Sequence, residues 1–97
     1  MPKGYWIVNV DVHDMEGYKE YVAANGAVFG RFGARFLVRS GRHEVVEGQM
    51  NPRIVVLEFK DYDTARACYF SPEYQELIRM RLPHGAANLA IVEGWDG

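Results

Sequence analysis

Apolar and polar residues alternate along Tyr5–Val12. Trp6, Val8, Val10 and Val12 make one wholly apolar face, while Tyr5, Ile7, Asn9 and Asp11 make a face that turns polar towards its end. Aromatic and β-branched residues suit a pleated surface, so this segment is predicted to be a strand. The period then lengthens. Tyr18, Tyr21, Val22, Val28, Phe29 and Phe32 recur at helical spacing, with Asn25 on the same stripe. Asp14 is the predicted N-cap of this helix, Glu16 complements its dipole, and Gly33 suits the left-handed position that closes it.

Period two returns in Arg35–Ser40, which is predicted to place Phe36 and Val38 on one face and Arg35, Leu37 and Arg39 on the other. Gly41 is a candidate bulge, with His43–Glu47 a candidate continuation of the strand. Arg53–Phe59 is the third strand, with Val55, Leu57 and Phe59 opposite Ile54, Val56 and Glu58. Asp61 caps a short helix that carries Ala65, Cys68 and Tyr69. Ser71 and Pro72 restart a helix whose stripe is Tyr74, Leu77, Ile78 and Arg81. Leu89–Val92 is the predicted last strand.

The order β-α-β-β-α-β predicts an α+β, ferredoxin-like fold: a four-stranded antiparallel sheet with its helices on one face, in one domain over residues 1–97. Trp6, Val8 and Val10, Phe36 and Val38, and Val55, Leu57 and Phe59 are the expected helix-facing sets. The other face, with Tyr5, Ile7, Leu37, Ile54 and Val56, is too apolar for water, and no element is left to cover it. A second copy of the sheet is the simplest cover, so the predicted partner is the chain itself, as a homodimer closed into an α/β barrel. Asn9, Arg39 and Glu58 are then expected inside or at the mouth of that barrel, away from both helices.

The blocks YWIVNVDV, FGARFLVRSG, VVLEF, ACYFSPEYQ and IVEG, with the Tyr18–Tyr21–Val22 spacing and the Glu47–Gly48 pair, occur in one order between Gly4 and Gly94. In this the chain resembles a family of small bacterial dimeric α/β-barrel proteins catalogued as a domain of unknown function, the thirteen-thirty DUF family. Gly33-Ala34 and Ser40-Gly41 stand where that family commonly has Gly-Gly pairs. The resemblance implies the barrel and the dimer, and it implies no reaction.

Composition narrows the remaining chemistry. A net charge of −2 gives no general attraction for nucleic acid, and the lone Cys68 excludes an intrachain disulfide. No apolar run is long enough to span a membrane, and residues 1–20 hold four acids and no uninterrupted apolar stretch, so a cytoplasmic protein is predicted. His13, His43 and His84 have no metal-ligand spacing, and no phosphate-binding glycine motif occurs, so neither metal nor cofactor is expected.

The candidate ligand-binding residues are Asn9, Arg39, Glu58, Tyr69, Tyr74, Arg81 and His84. Arg39 suits a bidentate clamp on an acid, and Glu58 a base. The competing reading makes the two a structural ion pair. His84, in a Pro-His-Gly loop, is expected to reach the barrel mouth. Arg81 is read as a carbonyl cap or a partner of Glu58 or Glu93, or as a group that reaches substrate. Tyr69 and Tyr74 flank the Ser71-Pro72 break as pocket-wall candidates. Two functions fit this set: a protein that binds or transforms a small organic acid or aromatic without a cofactor, or a non-catalytic, stress-associated dimer.

Overall fold

The computed structural model describes residues 2–96. Its elements run β1 (Gly4–Val12), α1 (Met15–Arg31), β2 (Arg35–Arg39), β3 (Arg53–Phe59), α2 (Tyr62–Tyr69), α3 (Pro72–Arg81) and β4 (Gly85–Glu93). The four strands form one sheet in the order β2-β3-β1-β4, antiparallel at each pairing. This is the α+β, ferredoxin-like arrangement.

Local chemistry sets the helix ends. The Asp14 carboxylate accepts from the Gly17 amide at 3.4 Å, and Asp61 accepts from Thr64 at 2.8 Å. Ser71 accepts from Tyr74 at 3.1 Å and donates back to the Cys68 carbonyl at 2.8 Å, which stitches α3 to α2. Gly33, with φ +68°, follows the C-cap Phe32. Its amide donates to Gly30, and that of Ala34 to Phe29, so the helix ends in a Schellman closure.

The core lies between the sheet and the helices. Trp6 is 1% exposed and packs edge-on against Phe29, Tyr69 and Tyr74, while its indole N–H donates to the Ala65 carbonyl at 2.8 Å. α1 lies against α3, and the Arg31–Glu73 pair at 3.2 Å bridges them.

Three features differ from the sequence reading. β2 carries a bulge: Phe36 pairs with Leu57, but Val38 pairs with Val56 and Arg39 with Val55. The extra residue reverses the parity of everything after it. Val38 is therefore turned to the outer face, and Arg39 shares the helix side with Phe36, Val55 and Leu57. The bulge falls here and not at Gly41, and His43–Glu47 forms no strand. β4 begins four residues earlier than predicted, because Gly85–Asn88 pair with the end of β1. Leu89 and Ile91, opposite Val8 and Trp6, join the helix-facing core.

Candidate ligand-binding cleft

The helix side of the sheet is not filled to its edge. A narrow recess, with about 30 Å³ of free space and an open mouth, lies between α1, α3 and strands β1–β3. Its apolar floor includes Trp6, Val8, Val10, Val55 and Leu57, with Phe29 and Phe36 beside it. Its polar groups come from four elements: Tyr18, Tyr21 and Asn25 on α1, Arg39 on β2, Arg53 on β3, and Tyr74 and Arg81 on α3.

Three cations thus line the cleft, and no carboxylate, histidine or cysteine does. Each guanidinium lies over a ring: Arg39 is 4.4 Å from the centre of Phe36, Arg53 5.5 Å from Tyr18, and Arg81 5.7 Å from Tyr21. Arg81 is buried and its Nη1 donates to the Tyr74 hydroxyl at 3.1 Å, which in turn lies 2.6 Å from that of Tyr21. Three buried polar atoms in the described residues have no partner: Nε of Arg53, Nε of Arg81 and Oδ1 of Asn25. All three belong to residues of this cleft. Such atoms are rare because each costs desolvation without a compensating bond.

Burial pushes the Tyr74 hydroxyl far above its ordinary range, with nearby Tyr21 adding to the effect and Arg81 opposing it. Tyr18 is raised mainly by burial too, then by Tyr21, against the pull of Arg53 and Arg81. Both therefore keep their protons at neutral pH and serve as hydrogen-bond donors. The cleft offers donors and positive charge, which suits it to holding an anion. It offers no ordinary general base.

Of the seven sequence candidates, Arg39, Tyr74 and Arg81 meet here. The expectation that Arg39 faces the barrel, away from the helices, is corrected by the β2 bulge. Arg39 and Glu58 do not pair: Glu58 stays on the outer face, 3.3 Å from Arg35. Arg81 joins Tyr74, and neither Glu58 nor Glu93 is its partner. Tyr69 packs against Trp6, Phe70 and Tyr74 without lining the cleft. Asn9, on the outer face, accepts from the Asn51 amide at 3.0 Å. His84 reaches no cleft. Its Nδ1 lies 3.1 Å from the Asp14 carboxylate, and its ring occupies the space a side chain at Gly17 would need.

Sequence reasoning missed four polar groups of the cleft: Tyr18 and Tyr21, read as core residues of the helical stripe, and Arg53 and Asn25. The last two each left a signal. Arg53 shares the parity of Val55, Leu57 and Phe59, and Asn25 is a polar residue on an apolar helical stripe.

A four-stranded antiparallel sheet with its helices on one face places the chain among the small ferredoxin-like α+β proteins. This chain belongs to the family described as a domain of unknown function, DUF1330, whose profile matches residues 3–95. No curated protein matches it. Among solved structures, a protein of unknown function from Rhodopseudomonas palustris is similar at 14% identity and a TM-score of 0.75, covering 99% of this chain and 85% of that one. SnoaB, a cofactor-independent oxygenase from Streptomyces nogalater, is similar at 12% identity and a TM-score of 0.69, covering 100% and 97%. A dimeric ferredoxin-like protein from Thermobifida fusca is similar at 12% identity and a TM-score of 0.59, covering 94% and 92%. At these identities the likeness shows the fold. Among the described residues, no helix is long and apolar enough to cross a membrane, and no cluster of three metal-ligating side chains occurs.

Proposed function

We propose that the protein binds a small organic acid or acidic aromatic in the cleft between helices and sheet. One observation carries this reading: three guanidinium groups converge on a recess that holds no carboxylate to neutralise them. The structural likeness to SnoaB supports it, since a fold of this kind there serves a cofactor-independent oxygenase. Calorimetric titration with benzoate and benzamide tests it. Benzoate should bind at least tenfold more tightly than the neutral amide, and its affinity should fall with ionic strength. Equal affinities, or no binding of either, would refute the reading.

We also propose that the protein is a homodimer through the outer face of the sheet. Ile7, Val38 and Val92 are each at least 40% exposed, and no element of the described chain covers that face. The dimeric Thermobifida fusca protein supports the arrangement. Sedimentation equilibrium at micromolar concentration should return twice the 11.1 kDa chain mass. A monomer mass would exclude an interface of the usual size, on the order of 1,600 Å².

A further inference from the structure

The three orphaned atoms of the cleft describe the ligand more closely than its charge alone. Two are donors, the Nε–H groups of Arg53 and Arg81. The third, Oδ1 of Asn25, is an acceptor. Asn25 and Arg81 are each 6% exposed, so bulk water does not satisfy them. A plain acid answers both arginines with its anionic oxygens and leaves Asn25 unanswered. A ligand that completes the set carries an anion and, elsewhere on its frame, one hydrogen-bond donor. The frame is indicated by the walls, where Trp6, Tyr18, Tyr21, Phe29, Phe36 and Tyr74 supply six rings.

The tyrosine pair does not meet this demand. The Tyr74 oxygen accepts from Arg81, and Tyr74 is 1% exposed. Its own proton has one partner within reach, the Tyr21 oxygen at 2.6 Å. That leaves the Tyr21 hydroxyl as a further donor with no acceptor among the described residues. Asn25 Oδ1 is the fully buried acceptor of the cleft left without a partner among the described residues.

We propose that the ligand is a hydroxylated aromatic acid. Its carboxylate lies on Arg53 and Arg81, its hydroxyl donates to Asn25 Oδ1, and Asn25 is the residue that tells it from the acid lacking the hydroxyl. The proposal rests on the acid-binding reading above and adds the hydroxyl. The energetic reason is asymmetry: a buried acceptor that stays unmet when the wrong ligand binds penalises that ligand.

The test compares benzoate with its 2-, 3- and 4-hydroxy derivatives and the matching methoxybenzoates, by calorimetry on the whole protein. At least one hydroxybenzoate should bind about tenfold or more tightly than benzoate. Its methoxy counterpart, which keeps the oxygen and loses the donor, should lose that advantage. In Asn25→Leu, the ratio of hydroxybenzoate to benzoate affinity should fall to about one. Asn25→Ser, which restores an acceptor, should recover part of it. If benzoate binds and no hydroxybenzoate exceeds it, or if the methoxy compounds bind as well, this inference fails and the acid-binding reading stands. If benzoate and all three hydroxybenzoates fail to bind, both fail together.

Discussion

Arg81→Met is expected to raise the melting temperature of the free protein while weakening its affinity for benzoate by about 10- to 100-fold. The two effects have one origin. Arg81 is buried at the end of α3, its Nε has no partner, and the cleft it shares with Arg39 and Arg53 contains no carboxylate. A buried cation without a counter-charge costs stability, and removing a buried donor that has no partner relieves about 1–3 kcal/mol of desolvation. Tyr74 loses one donor but retains its bond to Tyr21. For a domain of this size, each kcal/mol gained should lift the melting temperature by about 4–8 °C. The lost affinity corresponds to roughly 1.5–3 kcal/mol, the scale of a hydrogen bond to a charged group. Thermal melts and calorimetry read the two effects separately. A variant about 3 kcal/mol less stable than the parent would make Arg81 a structural strut. One that binds benzoate as the parent does would remove it from the site.

This trade of stability for binding is where local rules fail in an informative way. An arginine on the apolar stripe of α3 is readable from the chain, and so is the parity that sets Arg53 beside Val55, Leu57 and Phe59. Their meeting is not readable, because it depends on how α3 packs beside α1. Arg39 shows the limit most clearly. Strict alternation in Arg35–Ser40 places it on the outer face. The single extra residue that returns it to the helix side exists only in the pairing of β2 with β3. A bulge is a property of two strands, and one strand's sequence does not declare it.

The same logic explains the last strand. Leu89–Val92 announces itself by its apolar residues, whereas Gly85–Asn88 consists of small residues and one asparagine and becomes a strand because β1 offers it partners as far as Val12. His84 followed a different rule. A histidine in a loop after a helix is open to many roles, and the absence of a Cβ at Gly17, far away in sequence, decides that the ring settles over α1 beside Asp14. By contrast β1, β3 and all three helix caps were legible, because alternation and capping are local and the residues at those positions agree with the global fold.

Alkaline pH is expected to unfold the protein well before its lysines and arginines would explain it. Cys68, a residue of α2, is fully buried, and burial above all, with the Glu73 charge adding to it, pushes its thiol up from 9.0 to about 12. Tyr74 and Tyr18 are likewise raised above 10.0, each chiefly by burial. In every case the folded chain holds its proton at a pH where the unfolded chain releases it. The native state then binds more protons than the unfolded one, so stability falls as pH rises. The contribution of Cys68 is complete below pH 9 and is lost progressively towards about 12, and the tyrosines add to the loss from pH 10 upwards. At about pH 11, two units above its ordinary value, Cys68 alone removes about 2–3 kcal/mol. Small domains total only about 5–15 kcal/mol, so the melting temperature should drop by at least 10 °C or so between pH 9 and 11. Cys68→Ala should flatten the curve between pH 9 and 10, where the tyrosines have yet to contribute, and leave the steeper fall above 10 in place. A melting temperature constant from pH 8 to 11, or an unchanged slope between 9 and 10 in Cys68→Ala, would show that this buried thiol does not set the alkaline limit.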